Sequence, residues 1–210
     1  MARNLGPQCK ICRRVGEKLF LKGERCYLTK CSLVKRKYPP GLHGPKGHTR
    51  LSEYGLHLRE KQRLKKTYQI LERQLKRYFN QAKKKVGNTE VILLKLLEMR
   101  LDNVIYRAGF SLSRKLARQM INHGHILVNQ KRVDIPSFQV KVGDIIKIKE
   151  KTANIQQIRD NLRSNQGKME MPAWLSLDSQ KFEIKIIKEP DLEDLPKNFN
   201  TRLIVEFYSR

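Results

Sequence analysis

Arg100-Leu101-Asp102-Asn103-Val104-Ile105-Tyr106-Arg107 closes an apolar helical run, turns at Gly109, and leads into a short helix headed by Ser111 and Ser113. On a 3.6-residue wheel, Leu116, Ala117, Met120 and Ile121 gather on one side of that helix. Arg114, Lys115, Arg118, Gln119 and Asn122 gather on the other. After His123-Gly124-His125 the period becomes two. Ile126-Leu127-Val128 meets the turn-like Asn129-Gln130-Lys131 before Val133. Val140-Lys141-Val142 then leads through Gly143-Asp144 to Ile146-Lys147-Ile148-Lys149. Residues 100 to 149 therefore read as two helices docked on a small antiparallel sheet. The polar helix face carries guanidinium forks suited to paired phosphate oxygens. A merely solvated charged face is the alternative for one helix taken alone.

The rest of the chain favours the first reading. It has 210 residues, 39% apolar, with 45 Lys+Arg against 20 Asp+Glu and a net charge of +25. Such self-repulsion favours a polyanionic partner, nucleic acid first and a membrane surface second. The excess is +10 over residues 1 to 60 and +8 over 61 to 90, but only +1 over 151 to 210. A protein laid along phosphates gains from each counterion it releases. No run of about 18 apolar residues could span a bilayer. Met1-Ala2-Arg3-Asn4 moves into Gly6-Pro7 without an apolar leader, so the chain is expected to stay where it is made.

All four cysteines fall early, as Cys9-x2-Cys12-x13-Cys26-x4-Cys31. Two close pairs can converge on one ion, zinc first and an iron–sulfur cluster second, with disulfides or unrelated thiols as the metal-free readings. Four thiolates leave no open position, so the metal is expected to be structural. Lys10, Arg13, Arg14, Lys22, Arg25 and Lys30 would offset their charge. Residues 32 to 50 are rich in breakers, through Tyr38-Pro39-Pro40-Gly41-Leu42-His43-Gly44-Pro45-Lys46-Gly47, and present a basic loop. His43 and His48 are weak ligand candidates there.

Ser52 can cap a long helix whose apolar stripe is Leu64, Tyr68, Leu71, Leu75 and Phe79. Thr89 can cap the next, through Val91, Leu94 and Leu97. Ile155 to Leu162 reads as a short helix, Trp174 as a packing anchor, and Phe182, Ile184 and Ile186 alternate as in a strand. Glu189, Asp191, Glu193 and Asp194 form an acidic patch suited to a protein contact or an intramolecular partner. The apolar end, Thr201 to Arg210, must return and pack, and is expected to do so on the long-helix stripe.

Several motifs resemble one family, the bacterial small-ribosomal-subunit protein four (S-four, of the universal uS-four group). They are Ala2-Arg3-x-Leu5-Gly6-Pro7, Arg50-Leu51-Ser52-Glu53-Tyr54-Gly55, Leu58-Arg59-Glu60-Lys61-Gln62, Arg100-Leu101-Asp102-Asn103-Val104-x-Tyr106-Arg107-x-Gly109-Phe110, Ala117-Arg118-Gln119, Val128-Asn129, Trp174-Leu175 and Leu203-Ile204-Val205-Glu206-x-Tyr208-Ser209. The resemblance covers essentially the whole chain. It implies an α+β fold: a mostly helical domain formed by both chain ends (residues 51 to 90 plus 181 to 210), interrupted by an α/β S-four-type RNA-binding module (91 to 180), with a metal-binding and basic loop segment at 1 to 50.

The family's function is not enzymatic. Its members bind small-subunit ribosomal RNA at a multi-helix junction of the five-prime domain early in assembly, border ribosomal protein S-five at an interface linked to decoding accuracy, and line the channel by which messenger RNA enters. Some relatives repress their own messenger. Members with cysteines at this spacing hold a metal. The resemblance places the chain in a bacterial cytoplasm, in the small subunit, with a plastid origin as second choice. Arg50 matches a messenger-channel position directly and Lys46 loosely, since Gly47-His48-Thr49 makes this loop one residue longer and less basic than its relatives.

For the RNA grip the expected residues are Arg100, Arg107, Ser113, Arg114, Lys115, Arg118, Gln119, His123 and Lys131 in the module. Arg3, Lys10, Arg13, Arg14, Lys22 and Arg36 join them at the amino end. Two competing functions are weaker. Arg100-Leu101-Asp102 imitates the catalytic triplet of pseudouridine synthases, which carry similar modules, but Asp102 sits inside a helical run where an ion pair or capping role is commoner. A zinc-dependent DNA regulator would need a recognition helix with dimer symmetry, and none is evident.

Overall fold

The computed structural model describes residues 6–46, 50–149, 160, 162 and 171–209. Arg3, Gly47, His48, Thr49 and most of the expected helix over 155 to 162 lie outside them. The chain divides into two compact units. One comprises residues 1–93 and 197–210, the other residues 94–196.

In the first unit, α1 (Gln8–Val15) stops at Gly16, whose φ of 86° turns its N–H back onto the Cys12 carbonyl at 2.8 Å. Cys12, Val15, Leu19 and Leu21 form a small apolar cluster beneath it. The loop expected over residues 32 to 50 opens instead with a short helix, α2 (Ser32–Lys35), and among its described residues a 3-10 turn follows at Gly44–Lys46. Then α3 (Glu53–Thr67) begins where the Ser52 hydroxyl accepts the Gly55 N–H at 3.2 Å, with Glu53 in its first turn, as expected.

The single long helix does not form. Gln69 adopts a φ of +53°, and the chain restarts as α4 (Glu72–Lys84). Leu64, Tyr68, Leu75 and Phe79 are buried on either side of this break, while Leu71, at the restart, is 39% exposed. An i, i+3/i+4 apolar pattern carried across a kink looks the same in sequence as one continuous stripe. The next helix, α5 (Thr89–Glu98), is headed by Asn88, whose side chain accepts the Glu90 N–H at 2.9 Å; the cap expected from Thr89 is supplied one residue earlier.

The carboxy-terminal helix α8 (Thr201–Ser209) returns to pack on α3 and α4. Rings pair across these contacts, Tyr54 with Phe207 at 5.8 Å and Phe79 with Tyr208 at 4.9 Å between centroids. The Glu72 carboxylate accepts from Lys61 at 2.9 Å, Lys65 at 2.7 Å and the Tyr208 hydroxyl at 2.7 Å.

In the second unit, α6 (Leu101–Arg107) and α7 (Arg114–Asn122) cover one face of a sheet. Its strands are β1 (Ile126–Val128), β2 (Lys131–Arg132), β3 (Ile145–Ile148), β4 (Leu175–Asp178) and β5 (Glu183–Ile186). All neighbours are antiparallel, in the order β2-β1-β3-β5-β4. Asn129 and Gln130, at φ 48° and 65°, make the two-residue turn between β1 and β2 that suits the sheet's twist. Ile126, Val128, Ile146, Ile148, Leu175, Ile184 and Ile186 point into a core with Phe110, Ile121 and the fully buried Trp174.

The fold is thus α+β, and the sheet is larger than expected. Because β5 lies between β3 and β4, this unit extends to residue 196, and the carboxy-terminal part of the helical unit starts at 197 rather than 181. Val140 to Val142 forms no strand. The Val140 N–H instead donates to the Met99 carbonyl at 3.0 Å, beside an isolated bridge between Arg100 and Gln139.

Candidate nucleic-acid interface

Polar side chains link α5, α6 and α7 through two buried carboxylates. Asp102, 1% exposed, accepts from Arg100 Nε at 3.0 Å and Nη2 at 2.8 Å, and from Arg118 Nε at 2.6 Å. Burial would push its carboxyl up, but the guanidiniums of Arg100 and Arg118 hold it below the usual carboxylate range. Glu98, fully buried, accepts from Arg107 Nε at 3.0 Å and Nη2 at 3.1 Å and from Asn103 Nδ2 at 2.9 Å. The Asn103 carbonyl oxygen accepts Arg114 Nε at 2.8 Å, and the Arg114 guanidinium lies 4.5 Å from the centroid of the Tyr106 ring. Four guanidiniums are thereby oriented by two carboxylates and one amide, leaving a surplus of positive charge.

This frame corrects the wheel. Arg100 and Arg114 are 2% and 8% exposed, so they are packed framework cations rather than members of an open charged face. Arg107 and Arg118 are half-buried. What α7 presents to solvent is Lys115, Gln119, Asn122 and His123, with Ser113 half-buried at its head, where its hydroxyl accepts the Leu116 N–H at 3.3 Å. Asp102 makes the ion pair expected of it, but in the core rather than at the surface.

Lys131 is exposed in β2, and its neighbour Arg132 escaped the sequence reading. The Arg132 guanidinium lies over Gly124 so closely that an added Cβ there would stand 2.3 Å from it. His123 and His125 rings sit 5.9 Å apart. Burial first, then His123, Lys149 and Arg132, depress the His125 pKa. These residues form a cationic cluster at one end of the sheet. Its only sequence signal is the hairpin turn, which pairs Arg132 with Leu127 and brings it back toward the His123-Gly124-His125 corner.

In the first unit, Lys10, Arg14, Lys22, Arg36, Lys46 and Arg50 are exposed. Arg13 is not presented in the same way. It donates to the Tyr38 and Pro39 carbonyls at 3.0 and 3.1 Å and stacks on the Tyr38 ring, clipping the basic loop to α1. Among the described residues no group of three or more His, Cys, Asp or Glu stands assembled to hold a metal. The four cysteines are free thiols, Cys12, Cys26 and Cys31 buried and Cys9 half-buried. Burial first raises the Cys12 pKa, and the other three cysteines raise it further. Cys26, which accepts the Lys22 N–H at 3.4 Å, is raised in the same way by burial and then by Cys31 and Cys9. Four thiols are chemically the donor set of a closed tetrathiolate.

Two family profiles cover adjacent parts of the chain: the ribosomal protein S4/S9 N-terminal domain over residues 3–98 and the S4 domain over residues 99–146. The chain is 51% identical over 210 residues to the small ribosomal subunit protein uS4 of Thermus thermophilus, and 48% identical over 210 residues to that of Natranaerobius thermophilus. With its Thermotoga maritima counterpart the identity is 46% over 213 aligned positions. All of both chains is covered in each case. The chain belongs to the ribosomal protein S4 (uS4) family.

Proposed function

We propose that the chain is a non-enzymatic structural constituent of the bacterial small ribosomal subunit, working in the cytoplasm as a binder of small-subunit ribosomal RNA. The observation that carries this is the arginine frame of α6 and α7, four guanidiniums held in fixed places in a unit that also exposes Lys115, Gln119, His123, Lys131 and Arg132. Preset cations suit RNA recognised by shape and backbone. At the finer level, the chain seeds the five-prime domain at a helical junction, with Lys10, Arg14, Lys22 and Arg36 adding backbone contacts. It borders S-five, lines the messenger channel with Lys46 and Arg50, contributes to decoding accuracy, and represses its own messenger.

Cys9, Cys12, Cys26 and Cys31 hold zinc, an iron–sulfur cluster being the alternative. The metal supplies folding energy to a segment whose own apolar cluster is small. The synthase-like reading is disfavoured because Asp102 is locked between two guanidiniums in the core.

The test is binding of a five-prime-domain transcript across a salt series. Replacing Lys115 and Lys131 together with Gln is expected to flatten the log–log salt slope by about 1.4 to 1.8, at roughly 0.7 to 0.9 per phosphate contact. Thermal stability should not change. A slope equal to that of the unaltered protein would remove both residues from the interface.

A further inference from the structure

The first unit holds a cavity of about 600 Å³ between α1, the loop at 39–46 and α3. Its lining includes the cations Arg14, Arg59 and Lys46, the imidazole of His43, and the apolar Pro40, Leu42 and Leu51. Among the described residues no carboxylate lines it. Leu42 is 90% exposed, an apolar side chain held out in water.

The walls are tied to one another. Arg13 bonds two loop carbonyls, as above, and Gly44 lies so close to the Pro39 carbonyl that a Cβ would come within 2.0 Å of it. Arg59 is fixed by donating to the Val15 carbonyl. Lys66, on α3, is half-buried. Burial first, then Lys65 and Arg14, push its ammonium below the usual lysine range, so positive charge is crowded here. A cavity lined by both cations and aliphatic side chains, with no carboxylate among the described lining residues, matches a ligand that carries an anionic group beside a flat apolar face, and its volume suits a nucleotide.

We infer that this cavity takes one unpaired nucleotide of an RNA strand, its phosphate held by Arg14 and Arg59 and its base against Pro40, Leu42 and Leu51. A paired base cannot turn its face to these walls, so the pocket selects single-stranded or bulged RNA without reading its sequence. The inference deepens the ribosomal-RNA reading above and rests on it.

The test uses the full-length protein and a single-stranded RNA heptamer with 2-aminopurine at its centre. Leaving its neighbours for aliphatic walls, the probe base should brighten several-fold. Leu42→Ser should abolish the brightening and weaken binding about fivefold with an unchanged salt slope, whereas Arg14→Gln should lower that slope by about 0.7. The inference is overturned if fluorescence stays flat, if Leu42→Ser binds like the unaltered protein, if an RNA duplex competes as well as the strand, or if adenosine monophosphate alone competes equally. A five-prime-domain transcript, titrated in parallel, separates the two levels. If the protein binds the transcript but ignores the heptamer, only the pocket falls; if it binds neither, the ribosomal-RNA reading falls with it.

Discussion

Asp102 shows how one side chain serves both fold and function. Its carboxylate bridges Arg100 and Arg118, and through Arg118 it ties α6 to α7 at the face proposed to meet RNA. Asp102→Ala removes the carboxylate that pairs with the buried Arg100 and with Arg118 and is expected to cost about 3 to 5 kcal/mol, measured by urea unfolding. A loss under about 1 kcal/mol would mean the pair is not integral. The carboxyl is held below its unfolded value, so its contribution is complete above that value, near pH 4, and fades as pH falls through the lower folded value. The residue types of this frame were legible in the run from Arg100 to Arg107 and on α7. Their pairing was not, because a helical wheel sees one helix, and Glu98, Asn103 and Asp102 reach Arg107, Arg114 and Arg118 across three. Burial of Arg114 is a tertiary fact.

At the scale of elements, the seam of α3, α4 and α8 closes on Glu72. Burial would raise this carboxyl, but hydrogen bonds from Lys65, Tyr208 and Lys61 lower it to about 2. The seam is therefore expected to be intact above about pH 4.5 and to loosen as pH falls toward 2, read as faster amide exchange in α8. Exchange rates that stay level over that range would contradict it. The return of α8 was legible because a run as apolar as Leu203 to Val205 must be covered. The break at Gln69 was not, since no glycine or proline marks it and a glutamine at φ +53° has no sequence signature.

The amino-terminal segment offers a second test at this scale. Stripping metal with a chelator is expected to release about one zinc per chain, or iron if a cluster is held, and to open residues 8 to 31 to protease while the second unit keeps its melting transition. Metal-free protein with unchanged protection would sink the tetrathiolate reading.

Across the whole molecule, a net charge of +25 sits on two units, each with its own basic surface: the α7 and β2 face in one, Arg14, Arg36 and the loop around Lys46 in the other. Composition announced the polyanion, and motifs spread along the chain pointed to the family that the profiles and relatives then established. The far boundary of the second unit was hidden because its sheet is completed by strands nearly thirty residues beyond β3, and long-range pairing leaves only local alternation in the sequence.

On the proposed function, these surfaces clamp folded ribosomal RNA mainly through its backbone. The direct measurement is the affinity of the full-length protein for a five-prime-domain transcript from low to high salt, with duplex DNA as competitor. A log–log slope of about −4 or steeper and poor competition by DNA are expected. A slope near zero, or duplex DNA displacing the transcript as well as unlabelled transcript does, would contradict it.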